Sequence, residues 1–399
     1  MILRDKSIIL GVTGGIAAYK AVEIASRLVK GGAQVDVVMT PAATHFVGAL
    51  TFQAITGRPV AIEMFALLRE TDIAHVSLAK RADLLIIAPL TANTLAKLAH
   101  GLADNLLTAV ALDTRAPLLL APAMESGMWE NPLTQENLTR LRQVRDVVVV
   151  GPATGRLASG AMGVGRMAEP AEIVDAARWV LGRMGLLKEK KVVVTSGGTR
   201  EPLDPVRVFT NRSSGRMGVA LAAAARDAGA EVTLIHTSGG PPVPWGVRAV
   251  EVETAQEMRD AVLEAVAEAD ALIMAAAVAD YRPAQTSEQK IKKTSGPLVV
   301  QMERTPDILA EVAARRAELP RLRAVIGFAA ETEHVVENAR DKLRRKRLEL
   351  IVANDARAAM GAETNQVTLI AADGSVEELP LLPKEQVAER IIARLATLL

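Results

Sequence analysis

The sequence of 399 residues contains no cysteine. That removes disulfides, thiolate metal sites and cysteine nucleophiles, and a reducing cytoplasm is the expected compartment. Aromatic residues are nearly as scarce, at 3%. The core must therefore be built from Ala, Val, Leu and Ile, and stacking platforms for single-stranded nucleic acid are in short supply. Neither sign of charge dominates: 47 basic residues against 46 acidic ones leave +1. Such a balance argues against nucleic acid or an anionic membrane as the main partner. Apolar runs, such as the one between Asp270 and Asp280, stop well short of the about 20 residues of a membrane helix. The opening MILRDKSIILGVTGG has too short an apolar stretch for a signal peptide. The histidines show no ligand spacing, which argues against structural zinc.

What is present is strand–helix alternation. A chain of this length exceeds what one core usually supports, and 50% hydrophobic with 23% charged residues describes an ordinary globular protein. Short apolar runs at 8–12, 35–39, 84–88, 118–121 and 147–150 are expected strands. Helical patterns lie between them, one over 16–30 ended by Gly31 and Gly32, another starting at Pro132 with Asn131 as its cap. A helix over 170–184 closes this half, and GLLKEKK (185–191) reads as a charged linker. The alternation then restarts. Strands are expected at 192–195, 231–235, 271–275, 324–328 and 348–352, with helices at 215–228, 255–267, from 307 and at 334–346. Asp373–Gly374 within VTLIAADGSVEEL signals a hairpin. The expectation is an α/β protein of two doubly wound, Rossmann-like domains, 1–187 and 188–399, with ligands at the carboxyl edges of parallel sheets.

Several stretches hold chemistry in search of a ligand. VTGGIAAYK (12–20) puts glycines between a strand and a helix start, a phosphate cradle or a plain tight turn. Thr91, Asn93 and Thr94 follow a strand end, as cofactor contacts or as helix caps. His75 stands alone, and lone histidines are mostly structural. APAMESGMWENP (121–132) sets Glu125 among apolar neighbours, beside a turn or against a substrate. The only approach to a dinucleotide fingerprint, GVGRMA (163–168), has no apolar strand before it. It sits in a glycine-rich stretch that reads as a flexible flap, which weakens a nicotinamide-dependent reductase reading. TSGGTREPLDPVRVFTNRSSGRMG (195–218) is a long connection with no apolar period, and Thr199, Arg200, Arg207, Asn211 and Arg212 in it suit an anion. Asp280 follows a buried strand. KIKK (290–293) and KLRRKR (342–347) are basic clusters, either solvated faces or polyphosphate contacts, with Lys342 and Lys346 on one helix face.

The strings PAMESGMW, TSGGTREPLDPVR, TNRSSGRMG, AAAVADY, KIKK, TPDI and GFAAET together resemble one family. It is the bacterial bifunctional phosphopantothenoylcysteine decarboxylase/phosphopantothenate–cysteine ligase family of coenzyme A biosynthesis. The resemblance runs over about residues 6 to 390. It implies an N-terminal flavoprotein domain, with FMN against Gly14, Gly15, Ile16, Thr40, Thr91, Asn93 and Thr94. His75 would be its catalytic histidine, Met128 a substrate contact, and residues 154–168 a flap over the substrate. It implies a C-terminal ligase domain that uses CTP with Mg²⁺ and joins 4′-phosphopantothenate to cysteine through an acyl-cytidylate. Met274, Ala275, Ala276, Asp280, Pro306, Asp307, Ile308, Leu309 and Phe328 would hold the nucleotide. Lys290, Lys342 and Lys346 would face its phosphates, Asn211 would contact the acyl-cytidylate, and Arg207 the substrate. The partners implied are these small molecules and further copies of the chain, a dodecamer by resemblance, with no nucleic acid or membrane.

Two positions depart from the family pattern. Glu125 stands where an asparagine is usual, and Ser159 where the flap's proton-donating cysteine is usual. Two consequences stay open: decarboxylation with altered donors, or a ligase whose N-terminal domain is a weakened or non-catalytic oligomerisation module.

Overall fold

A computed structural model of the chain describes residues 2–64, 74–293, 295–331, 334–355 and 362–399. The chain divides into two compact units, Met1–Leu181 and Gly182–Leu399. Among the described residues no helix is long and apolar enough to cross a membrane.

The first unit is built on β1 (Ser7–Val12), β2 (Gln34–Met39), β3 (Leu84–Leu90), β4 (Leu118–Pro122) and β5 (Val147–Val149). All pair in parallel, in the order β2-β1-β3-β4-β5. β3 and β4 are buried along their whole length. These strands therefore read as unbroken apolar runs, the mark of a sheet covered on both faces. Helix α1 (Ala18–Lys30) buries Ala21, Ile24, Ala25 and Leu28, a helical stripe, and ends at Gly31. The chain winds from β1 to β2 on one side and crosses to β3 on the other. The strand order thus reverses between β1 and β3, the place where open α/β sheets leave a crevice.

The second unit repeats the scheme with β8 (Lys191–Ser196), β11 (Glu231–His236), β12 (Arg248–Glu251), β13 (Ala271–Met274), β16 (Ala324–Glu331) and β17 (Leu350–Asp355). Their parallel order is β12-β11-β8-β13-β16-β17. Along β8, Val192 and Val194 enter one core layer and Val193 the other, the period-2 signature of a strand covered twice. The expected hairpin forms, with Val367–Ala371 against Val376–Glu378 on the far edge. Its Gly374 sits at φ +88, a conformation glycine adopts without strain.

Three expectations change. Residues 185–191 are not a free linker: Leu187 is 1% exposed in the second core, and its N–H donates to Ala228 O at 2.7 Å. The 195–218 connection is not featureless. It contains an antiparallel ribbon, β9 (Arg200–Pro202) with β10 (Val208–Thr210). A second ribbon pairs β14 (Tyr281–Pro283) with β15 (Met302–Arg304). Strands of three residues are too short to show a period. Finally, the glycine-rich flap is a paired hairpin, β6 (Ala153–Arg156) with β7 (Met162–Arg166).

Candidate active sites

In the first unit the residues of interest collect at the carboxyl edge beside the β1/β3 reversal. Thr13 Oγ1 donates to Pro89 O at 2.7 Å and ties the two strand ends together. A Cβ on Gly14 would lie 2.5 Å from Ala42 Cβ and 2.9 Å from Ala42 C, so packing alone demands glycine there. Gly15 is different: its nearest neighbour would be Thr91 Cγ2 at 3.7 Å, which leaves room over the turn. Ile16 is 62% exposed at the same mouth. Thr40, mostly buried, follows β2.

Across the crevice, Thr91 caps α4 (Ala92–His100), its Oγ1 accepting from Thr94 N at 3.3 Å. Thr94 is buried and Asn93 is exposed. Helix capping is thus real for Thr91, and it does not occupy Asn93 or the first helical amides. His75 lies in α3 (Ala74–Arg81), in a half-buried side chain whose Nδ1 is buried with no hydrogen-bond partner among the described residues. Buried polar nitrogens are nearly always satisfied, so such an orphan points to a missing group. The region fits a flavin mononucleotide on these grounds: a turn with space for a phosphate, free helix-start amides, an apolar side chain at the mouth and an unsatisfied imidazole.

Glu125 is where sequence and structure meet most directly. It precedes the short helix Ser126–Trp129, and its carboxylate does not cap that helix. Instead Oε2 accepts from Ser159 Oγ at 3.0 Å and Oε1 faces Ser159 N at 3.4 Å. Strand β7 lies hard against the same loop: Met124 N donates to Gly165 O at 3.0 Å, and Ser126 Oγ to Val164 O at 2.6 Å. A Cβ on Gly165 would sit 2.1 Å from Met124 O, and one on Gly163 would sit 2.2 Å from Ser126 Oγ. Gly163 and Gly165 therefore serve the close approach of β7 to this loop. Met128, 49% exposed, lies on the next turn.

In the second unit the strand order reverses between β8 and β13. There Ala277 N donates to Gly197 O at 2.8 Å, and Asn211 Nδ2 donates to Val278 O at 3.0 Å. A cavity of about 180 Å³ opens beside them, lined by Gly197, Gly198, Asn211, Ser213, Ser214 and the 237–240 loop among others. Arg200 borders it and is held by Ser238, with bonds of 2.7 Å to Oγ and 2.9 Å to O.

A second group forms at the ends of β13 and β16. Met274 ends β13, followed by half-buried Ala275 and Ala276. Exposed Asp280 is tied by its carbonyl to Thr305 N at 3.1 Å, which sets it beside Pro306. Asp307 caps α11 (Ile308–Ala314), accepting from Ala310 N at 3.0 Å, and forms an ion pair with Lys346. Burial pushes its carboxyl up, but the Lys346 bond and the Ala310 amide hold it below the ordinary value. Ile308 and Leu309 are core. Lys342 and Lys346 bracket the end of α12 (Val335–Arg345), and Lys342 Nζ donates to Phe328 O at 2.8 Å. Among the described residues there is no cluster of three metal-ligating side chains.

Arg207 belongs to the turn between β9 and β10, and Lys290 to the stretch between β14 and β15. Arg207 pairs with Asp204 at 2.6 Å, and Lys290 is exposed on the stretch between β14 and β15. Reading the sequence for function passed over Asp204, Ser238 and the 237–240 loop. The one signal was Asp204's place three residues before Arg207 in a turn-dense string.

Residues 2–181 match the Flavoprotein family, and residues 187–399 match the DNA/pantothenate metabolism flavoprotein C-terminal domain. Coenzyme A biosynthesis bifunctional protein CoaBC of Mycobacterium tuberculosis is 45% identical over 409 residues, covering 99% of this chain and 97% of that protein. A crystal structure of the C-terminal domain of a CoaBC protein is 41% identical, covering 53% of this chain and 97% of that one, with a TM-score of 0.46. The FMN binding protein AtHal3 is 34% identical, covering 44% of this chain and 96% of its own, with a TM-score of 0.39. The chain belongs to the family of bifunctional CoaBC proteins of coenzyme A biosynthesis, which join a cysteine ligase to a phosphopantothenoylcysteine decarboxylase.

Proposed function

We propose that the second unit makes 4′-phosphopantothenoylcysteine and the first unit decarboxylates it. In the second unit the carboxylate of 4′-phosphopantothenate attacks the α-phosphate of CTP, which arrives as its Mg²⁺ complex. Pyrophosphate leaves, and the cysteine amine then displaces CMP to form the amide. Anion meets anion in the first step, so positive charge in fixed positions is what the protein must supply. Lys346 is held in place by Asp307 and Lys342 by the Phe328 carbonyl, so both start ordered beside the nucleotide segment. Lys290 brings a third charge on an exposed stretch. Met274 to Ala276, Asp280 and Pro306 to Leu309 form the walls for the nucleotide, and Asn211 reaches the acyl-cytidylate.

In the first unit FMN, when bound, supplies a reversible two-electron sink at the substrate's thiol. The turn at Gly15, Asn93 and the helix start at Thr91–Thr94 hold its phosphate and ring, with Gly14, Ile16 and Thr40 shaping the pocket. His75 is the proton-handling imidazole there, and Met128 borders the substrate. Glu125 and Ser159 close the substrate side as one hydrogen-bonded unit. Membership of a flavoprotein family supports this half.

The observation that carries the reading is positional. In each unit part of the residue set follows the strands that flank the order reversal: Gly14, Gly15 and Thr91 after β1 and β3, and Gly197, Ala275 and Ala276 after β8 and β13. The purified chain should be yellow, evolve CO₂ from 4′-phosphopantothenoylcysteine, and release pyrophosphate from CTP only with both 4′-phosphopantothenate and cysteine present. Lys290→Gln should lower pyrophosphate release about a hundredfold or more. No pyrophosphate from the wild type would sink the ligase half. A colourless protein that evolves no CO₂ would leave the first unit as an assembly module in a cytoplasmic homo-oligomer.

A further inference from the structure

Lys290 and Lys292 are exposed and lie outside any regular element, yet the backbone between them is gripped at both of its polar groups. Ile291 N donates to Asp204 Oδ2 at 3.1 Å, and Ile291 O accepts from Arg207 Nη2 at 2.6 Å. Both gripping side chains come from the turn between β9 and β10, more than eighty positions earlier in the chain. Asp204 is the centre of this arrangement, with a side chain 0% exposed. Its Oδ1 accepts from the amides of Val206 and Arg207, each at 2.9 Å. Its Oδ2 accepts from Arg207 Nε at 2.9 Å and Nη2 at 2.6 Å, as well as from Ile291. The neighbouring chain is stitched to the same ribbon: Ser287 N donates to Leu203 O at 3.1 Å, and Thr286 Oγ1 to Pro202 O at 3.0 Å.

A carboxylate that receives only donors, in a buried place, is there for what those donors hold. Asparagine could not replace it, because its NH₂ would face guanidinium or amide hydrogens. A lysine ammonium on a four-carbon stem is a mobile point charge, so the backbone fixes the region it can sample. The same ribbon runs on through β10 into Asn211. One turn therefore sets the origin of both Lys290 and Asn211.

We propose that Asp204 is a positioning residue for the ligase, fixing through the Ile291 backbone where Lys290 presents its charge. This rests on Lys290 acting in the phosphate chemistry, as proposed above. Arg207 completes the clamp, and its contact with Ile291 O makes it a holder of the lysine stretch.

The test uses the full chain, with Asp204→Asn and Lys290→Gln made side by side. Asp204→Asn should lower kcat for CTP-dependent pyrophosphate release by about tenfold to a hundredfold. It should also speed native-state trypsin cleavage after Lys290 and Lys292 by about tenfold, as a locally released segment does. Decarboxylation of supplied substrate should not change. If Lys290→Gln is impaired while Asp204→Asn alters neither kcat nor cleavage, the proposal is overturned. It is equally overturned if kcat falls with no change in cleavage, because Asp204 then acts elsewhere. A fully active Lys290→Gln would instead refute the role of Lys290, and increased cleavage in Asp204→Asn would still uphold the clamp. Should Asp204→Asn not fold, residue-level hydrogen exchange on the wild type decides: Ile291 N–H must exchange more slowly than the Lys292 amide.

Discussion

At the residue scale, the informative side chains are the ones whose partners were not neighbours in sequence. Glu125 looked like a surface carboxylate or a substrate contact, and the structure gives it a partner 34 positions away in Ser159. The two departures from the family pattern are thus one physical unit. A shorter side chain breaks it: Glu125→Asn loses a methylene and cannot reach Ser159, whereas Glu125→Gln keeps the reach. Decarboxylation should therefore fall further in Glu125→Asn than in Glu125→Gln, through a raised KM for 4′-phosphopantothenoylcysteine. Equal KM values in both variants would separate the pair from substrate binding.

Asp204 gives a residue-scale prediction in pH. Burial pushes its carboxyl up, but the Arg207 guanidinium and the amides of Val206, Ile291 and Arg207 hold it well below the usual carboxylate range. A folded-state pKa below the unfolded value contributes stability that is fully present above about pH 4 and is lost only as pH falls through the depressed value. The clamp is then charged at every pH at which the ligase works. The acid limb of kcat should have the same midpoint in wild type and Asp204→Asn, although its height differs. A shift of that midpoint would show Asp204 titrating within the working range.

At the scale of elements, the sequence was legible where apolar periodicity ran long enough to repeat. Strands such as β3 and helices such as α1 stood out because burial on both faces, or along one stripe, leaves a continuous pattern. The ribbons β9/β10 and β14/β15 were hidden, since three residues show no period and Val208 to Thr210 are all exposed. The pairing of β6 with β7 was hidden for a different reason. Glycine frees a backbone and equally lets one backbone approach another; only the distances to Met124 and Ser126 tell which. The consequence is a sharp expectation for Gly165→Ala. Its new Cβ would meet the Met124 carbonyl, a backbone atom, so β7 must move off the loop and carry Ser159 with it. CO₂ release should drop about tenfold or more, as when a supporting element is displaced by about 1 Å. Tryptic cleavage after Arg156 should rise. Full activity with alanine there would mean the hairpin's seat on the loop is irrelevant to catalysis.

At the scale of the whole molecule, two sheets each carry their own core layers and their own strand-order reversal. Each unit therefore has a structural basis for a separate chemistry. Lys290→Gln should abolish ligation while leaving CO₂ release from supplied 4′-phosphopantothenoylcysteine within about twofold, the scatter of independent sites. Gly165→Ala should do the reverse. A mixture of these two full-length variants should convert 4′-phosphopantothenate, cysteine and CTP to 4′-phosphopantetheine, because the intermediate can leave one molecule and enter another. The double variant should be slower than the mixture. Product formed by the mixture faster than by either variant alone would establish two chemically complete halves on one chain. A silent mixture, with each single activity intact, would mean that the intermediate cannot pass between molecules and that the halves must act together.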